Sequence, residues 1–413
     1  MHYFLDWILA ILTLMYAGLL IAYRYWFDKL SFFDFKPDRA VTAYTRFSIV
    51  IPARNEAANI KKCVDSILAQ AYPAEFFEII VIDDFSEDNT ASIVEAIHAE
   101  HAHVKLLKLA DFYNADEISS FKKKAIEKAV GHANGDWIIT TDADCIIPKY
   151  WLLLYHQYIQ ANNPVFVAAP VMFIKEKGIL NEFQVLDFLA LQGITAAAVG
   201  AGKHSMSNGA NLAFEKSAFF AVGGYQGVDH IASGDDMFLM HKMKKTLSSR
   251  IGYLFHPNAI VFTKTMQNWK DFLMQRIRWS SKARFYDDSS IFWVLLLVYV
   301  YNFSFLVILL MGHYQSFFIA IAFKTFFELV ASSLNKTAPS KLAKPWLTGI
   351  AWRLVGIISF ISGKNPAITK ESVSTSHFIN QYNSDKLKQA IDFKFTPIKE
   401  ACENTGAFFL KSK

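Results

Sequence analysis

Thr140-Thr141-Asp142-Ala143-Asp144-Cys145 ends an apolar run, Trp137-Ile138-Ile139-Thr140, on two carboxylates one residue apart. Carboxylates held that close repel each other unless a cation lies between them, and their hard oxygens suit Mg2+ or Mn2+. Three more groups could do chemistry: Asp83-Asp84, Asp235-Asp236 and Gln275-Arg276-Ile277-Arg278-Trp279. A positioned carboxylate can act as a general base. An arginine can grip phosphate oxygens bidentately, which lysine cannot. Each group also has a bland reading. Asp142 and Asp144 could be solvated acids in a turn, and Asp83-Asp84 an acidic turn capping a helix at Thr90. Asp235-Asp236 could be N-cap acids before Met237-Phe238-Leu239-Met240, and the last group a membrane-surface helix.

The elements that must position these residues alternate in type. Phe47-Ser48-Ile49-Val50-Ile51 is a β-rich apolar run stopped by Pro52, after which Ile60, Cys63, Ile67 and Leu68 share one helical face. Residues 77–82 read as a second strand, followed by a helix over 90–99 with Asp88 or Asn89 as its N-cap. Residues 104–109 form a third strand, and 122–133 a helix before the strand at Trp137. Such alternation argues an α/β fold, a mostly parallel sheet covered by helices, with ligands at the carboxyl ends of the strands. The acidic pairs sit at those ends. With no G-x-G-x-x-G and no Walker motif, dinucleotide and P-loop chemistry are unsupported.

The chain of 413 residues is 53% hydrophobic and only 19% charged, with 37 Phe, which is too apolar for an ordinary soluble enzyme. Cys63, Cys145 and Cys402 are too widely spaced for a disulfide framework or a zinc site, which fits a reducing, cytosolic setting. A net charge of +5 without a basic-aromatic motif gives no support for nucleic-acid binding. The apolar excess is local. Residues 4–23 are long enough to span a bilayer and lack the marks of a cleaved signal peptide. Arg24, Lys29, Lys36 and Arg39 follow this anchor, so the next segment is expected in the cytoplasm. A second span is expected at 291–311 and a third at 314–334, where Lys324 and Glu328 can pair. Residues 346–362 carry Arg353 at their middle and read as an interfacial or re-entrant helix rather than a further crossing. The polar stretch beyond reads as a cytoplasmic tail.

Ile51-Pro52-Ala53-Arg54-Asn55-Glu56, Asp83-Asp84-Phe85-Ser86 and Thr141-Asp142-Ala143-Asp144 resemble the nucleotide-sugar half of family-2 glycosyltransferases. Asn208-Gly209-Ala210-Asn211-Leu212-Ala213, Gly234-Asp235-Asp236 and Gln275-Arg276-Ile277-Arg278-Trp279 resemble its acceptor half. The resemblance runs from about Phe47 to Arg284, in family order, and is to the membrane-bound branch with polysaccharide synthases and ceramide glucosyltransferase-like enzymes. It implies a GT-A fold and an inverting transfer from a nucleotide-diphosphate sugar, in particular a UDP-sugar. The implied organisation is an anchor over 1–24, a cytoplasmic catalytic domain over 44–264, and an amphipathic interfacial helix over 265–286. A C-terminal membrane region over 291–362 and a tail over 363–413 complete it. The protein is then expected in the inner or plasma membrane, alone, with a partner subunit, or as a homo-oligomer. Two departures stand out: the C-terminal membrane region is short, and Gly234-Asp235-Asp236 replaces the commoner pair beginning with Glu.

The resemblance also implies roles. Asp144, with Asp142 behind it, holds Mg2+ or Mn2+ on the donor diphosphate. Asp83 and Asp84 meet base and ribose, with Pro52, Arg54 and Glu56 shaping that pocket. Lys123 matches the lysine that often follows a glycine, Lys122 standing in the glycine position; a solvated basic face is the competing reading of that run. Asp236 is the base that takes the acceptor's proton and Asp235 orients it. Gln275 and Arg278 grip the diphosphate, and Trp279 offers a flat face to the acceptor. The acceptor is a membrane lipid or a growing glycan. Alternatives are a processive polysaccharide synthase and a non-catalytic membrane scaffold, and the intact acids argue against the scaffold.

Overall fold

The computed structural model describes residues 2–325, apart from 42, 204–205, 248–249, 282–284, 286–288 and 312–317. At its centre are strands that are apolar at nearly every position. In β1 (Phe47–Ala53) and β2 (Phe77–Asp83), Ile49, Ile51, Ile79 and Val81 pack into one core, and Val50, Ile80 and Ile82 into another on the opposite face. With both faces covered, alternation has no use, so these segments read as continuous apolar runs. With β3 (Val104–Lys108), β4 (Trp137–Thr140), β5 (Phe166–Ala168), β7 (Leu212–Glu215) and β8 (Ile251–Tyr253) they form a seven-stranded sheet, ordered β3-β2-β1-β4-β7-β5-β8. A small parallel sheet joins β6 (Val171–Phe173) to β9 (Val261–Thr263).

Strands β3, β2, β1 and β4 are mutually parallel, so their carboxyl ends share one edge. Strand β7 runs antiparallel to β4, with Thr140 opposite Leu212. That reversal carries residues 207–211, just before β7, to the edge where β4 ends. The expected strands and intervening helices are present: α2 (Ile60–Leu68), α3 (Thr90–Glu100) and α4 (Phe121–His132), followed by α5 (Trp151–Asn162). Of the two expected caps for α3, Asp88 does the work, accepting from the Thr90 amide at 2.9 Å.

Among the described residues, three helices are long and apolar enough to cross a membrane: Asp6–Asp28 within α1 (His2–Asp28), α6 (Ile179–Gly200), and Ser290–Leu310 within α10 (Ser289–Leu310). The first and last are the expected spans. Tyr16 of α1 meets Tyr301 of α10 with ring centroids 4.8 Å apart. Helix α6 is unanticipated; its C-terminal Ala197 and Ala198 pack with Tyr23 of α1. Lys324 donates to Asn302 Oδ1 at 2.5 Å; its expected partner Glu328 lies outside the described residues, as do the segments 346–362 and 363–413.

One buried side chain locks the site edge. Asn211 is fully buried and uses its whole amide: Oδ1 accepts from Trp151 Nε1 and Tyr155 OH at 2.9 Å each. Its Nδ2 donates to the carbonyls of Pro170 and Ala259 at 2.7 and 2.8 Å. Each buried polar group left without a partner costs roughly 1–3 kcal/mol. Asn211→Leu, of similar size, is therefore expected to lower the melting temperature of the purified chain by several degrees. A melting temperature within about 1 °C of the parent would contradict this role.

Candidate active site

The β1–β2 register sets Ala53 beside Asp83, so the segments after both strands lie together. Asp83 and Asp84 are buried, and Oδ1 of each has no hydrogen-bond partner among the described residues. Burial pushes the Asp84 carboxyl up to about 6, against the pull of Arg54 and with help from Asp83. Because Asp88 caps α3, these two acids are not needed for that task. Orphaned buried acceptors call for outside donors, such as the N–H and O–H groups of a base and ribose. Pro52 is half-buried beside them, and the exposed Arg54 lies over the Phe121 ring at 5.2 Å. The Glu56 amide donates to Thr90 Oγ1 at 2.8 Å. Burial raises the Glu56 carboxyl; its bond from Asn59 opposes this, and Asp144 and Asp142 add to it.

Glu56 thus stands within electrostatic reach of the acids beyond β4. Asp144 Oδ2 accepts from Thr263 Oγ1 at 2.8 Å, at the end of β9. Burial and then the Asp142 charge raise the Asp144 carboxyl. The thiols of Cys63 and Cys145 are buried behind this turn, Cys63 donating to the Asp142 carbonyl at 3.5 Å. Among the described residues no group of three or more His, Cys, Asp or Glu side chains is arranged to hold a metal. A nucleotide-bound Mg2+ takes only one or two protein carboxylates and fills its other positions with phosphate and water. Two close acids, one raised by the charge of the other, fit that donor set.

Beyond the short α7 (Lys216–Ala221), helix α8 (Asp235–Leu247) starts at the second acidic pair. The Gly209 amide, brought in by the reversal of β7, donates to Asp236 Oδ2 at 3.1 Å, and the Gly209 carbonyl accepts from Thr140 Oγ1 at 2.8 Å. Asp235 is buried and its Oδ2 lies 3.5 Å from Lys122 Nζ. Lys122 also sits 2.7 Å from Asp142 Oδ1. Of the two lysines of α4, Lys122 is thus the one paired with Asp142 and Asp235. The buried Lys123 ammonium donates to the carbonyls of Val228 and Ile231 at 2.7 and 2.8 Å. Successive helical residues differ by about 100° in direction, so only one of an adjacent pair can face the site.

Helix α9 (Trp269–Ser280) is capped by Asn268, whose Oδ1 accepts from the Asp271 amide at 3.0 Å. Arg276, between the expected residues, pairs with Asp187 of α6 and lies over the Phe272 and Trp279 rings at 4.7 and 4.3 Å. It fastens α9 to α6, a role that no spacing in the sequence signals. Trp279 also packs against Phe188 of α6, and Gln275 is half-buried. Arg278 is exposed, and among the described residues no carboxylate pairs with it. No hydrogen bond or ion pair among the described residues joins Gln275, Arg278 or Trp279 to Asp142, Asp144 or Asp235. Thr263 is a contributor that the sequence left unmarked, and Gly209 and Lys122 stood in motifs with no role assigned to them.

The model for Glycosyl transferase family 2 matches residues 48–219, and that for Glycosyl transferase family group 2 matches residues 137–334. YdaM of Bacillus subtilis (strain 168), named a probable glycosyltransferase, is 25% identical over 57% of this chain and 54% of its own length. A poly-beta-1,6-N-acetyl-D-glucosamine synthase of Staphylococcus epidermidis is 25% identical over 56% of this chain and 53% of its own. The chain thus spans about half the length of these curated relatives. Among solved structures, the mannosyltransferase PcManGT of Pyrobaculum calidifontis, in complex with GDP-Man and Mn2+, has a TM-score of 0.51 at 19% identity. It covers 94% of this chain and 100% of its own, a likeness of fold.

Asp84 offers a test that needs no substrate. Its carboxyl titrates near 6 in the folded chain and near 3.8 in an unfolded one. Between these values the folded state holds more protons, so stability falls as pH rises through that window. Asp84→Asn removes this contribution, and its melting temperature is expected to fall less than the parent's between about pH 4 and 6.5. Parallel pH profiles for the two proteins would refute the assignment.

Proposed function

Because this chain belongs to glycosyltransferase family 2, we propose that it moves a sugar from a UDP-sugar to a lipid or growing glycan at a membrane, inverting the anomeric centre. The observation that carries this reading is the meeting of Asp142 and Asp144, from β4, with Asp235 and Asp236, from α8, around Lys122 and Gly209. Donor chemistry and acceptor chemistry each need acids near one sugar carbon, and the gathering of these four at one edge supports that reading.

Asp83 and Asp84 receive the base and ribose, with Pro52, Arg54 and Glu56 as the walls of that pocket. Asp144 and Asp142 are the residues that would hold Mg2+ or Mn2+. When bound, the metal neutralises the charge that grows on the leaving diphosphate. Asp236 takes the proton of the attacking acceptor hydroxyl. Asp235, already engaged by Lys122, holds the start of α8. Gln275 and Arg278 close on the diphosphate, and Trp279 lies against the acceptor.

Helices α6 and α9 favour an acceptor at a bilayer surface. Ile179, Phe183 and Leu186 of α6 and Leu273, Met274 and Ile277 of α9 are all exposed, Ile179 at 84%. A soluble surface rarely carries so much contiguous apolar area. Helix α6 buries Asn181, Gln184 and Gln192 along with Phe188, while its Ile179, Phe183 and Leu186 stay exposed. An interfacial setting over the inner or plasma membrane, with the catalytic part (44–264) on the cytoplasmic side, accounts for this. Repeated addition to a polysaccharide is a second reading, favoured by the relative named as a polymer synthase.

Offering the purified chain a panel of UDP-sugars with Mn2+, and following UDP release, tests the reading. Asp236→Asn is expected to keep UDP affinity while turnover falls about 10²-fold or more, the usual scale for losing a general base. Asp235→Asn is expected to lose less. A reversed order, or collapse of UDP binding in Asp236→Asn, would overturn these roles.

A further inference from the structure

Among the described residues, Lys122 is the cation paired with acids of both halves of the site, Asp142 at 2.7 Å and Asp235 at 3.5 Å. Gly209 fits closely against this bridge. A Cβ there would come within 3.0 Å of Asp235 Oδ2 and 3.2 Å of Lys122 Nζ. Through its amide and carbonyl the same glycine joins Asp236 to Thr140, the last residue of β4. Lys122, Gly209, the end of β4 and the start of α8 thus form one closed ring of contacts.

We propose that Lys122 is a positioning residue that ties the start of α8 to the end of β4 and so fixes where Asp236 meets the acceptor hydroxyl. The proposal rests on the sugar-transfer reading above. It differs from a lysine that only grips donor phosphate, because the bond to Asp235 lies on the acceptor side. Four carboxylates, Asp142, Asp144, Asp235 and Asp236, face this edge. Without the ammonium, their mutual repulsion would act directly on the spacing between β4 and α8.

Lys122→Met, Asp235→Asn and the double variant of the full chain, in lipid nanodiscs, give the test. Lys122→Met is expected to lower kcat at least about tenfold while the donor KM changes less than about threefold. The double variant is expected to be no slower than the slower single one, since both changes break one bridge. Lys122→Arg, which keeps the charge, is expected to restore part of kcat. A loss confined to donor KM, or losses that multiply in the double variant, would overturn the proposal. The same cycle read by melting temperature needs no turnover. Additive shifts there overturn the bridge, whereas coupled shifts in a chain inactive on every nucleotide-sugar uphold the bridge and overturn the sugar-transfer reading.

Discussion

Repulsion among carboxylates is the constraint around which the site is organised. Two of four parallel strands deliver acid pairs to one edge, since Asp83 and Asp84 lie at the end of β2 while Asp142 and Asp144 follow β4. Helix α8 adds Asp235 and Asp236 to the same neighbourhood. Charges of one sign packed this closely destabilise the fold unless cations or hydrogen-bond donors answer them. The chain answers locally. Lys122 pairs with Asp142 and Asp235, Thr263 donates to Asp144, and the Gly209 amide donates to Asp236. Burial raises the carboxyls of Asp84, Asp144 and Glu56, and neighbouring carboxylates add to it. A site left short of positive charge and of donors is suited to a ligand that brings both.

The sheet topology makes this convergence possible. An all-parallel sheet would collect only the segments that follow strands. By inserting β7 antiparallel beside β4, the chain brings to the same edge a segment that precedes a strand, with Gly209 at its tip. Asn211, four hydrogen bonds deep, fixes that segment against α5 and the approach to β9. On the other flank α6 serves as a shelf. Its Gln184 exchanges hydrogen bonds with the amide and carbonyl of Met266, and its Asp187 holds Arg276, so α9 is carried on α6.

Much of this was legible in the sequence, for identifiable reasons. The strands at 47–53 and 77–83 are buried on both faces, which requires continuous apolar runs that stand out from their surroundings. The acids after them were legible because paired carboxylates at strand ends are chemically conspicuous. Helix α6 was not, because its buried face mixes Asn181, Gln184 and Gln192 with Phe188 and the small residues near its end, while Ile179 and Leu186 are exposed, which blurs the pattern of a soluble amphipathic helix. Which of Lys122 and Lys123 pairs with Asp142 was also hidden. Two adjacent lysines give no period, and only the placement of α4 against the sheet decides which one reaches Asp142. Asn211 was visible within a motif, but its work as a buried junction depends on contacts with Trp151, Tyr155, Pro170 and Ala259 that are distant in sequence.

On the proposed function, the acids after β4 complete their charge balance with a divalent cation on a nucleotide diphosphate. Pulsed electron paramagnetic resonance of Mn2+ bound to the full chain with UDP reads that contact directly, through coupling of the metal to phosphorus. The account predicts phosphorus coupling in the parent chain and its loss in Asp144→Asn. UDP bound with no Mn2+–phosphorus coupling, or coupling that survives Asp144→Asn unchanged, would contradict it.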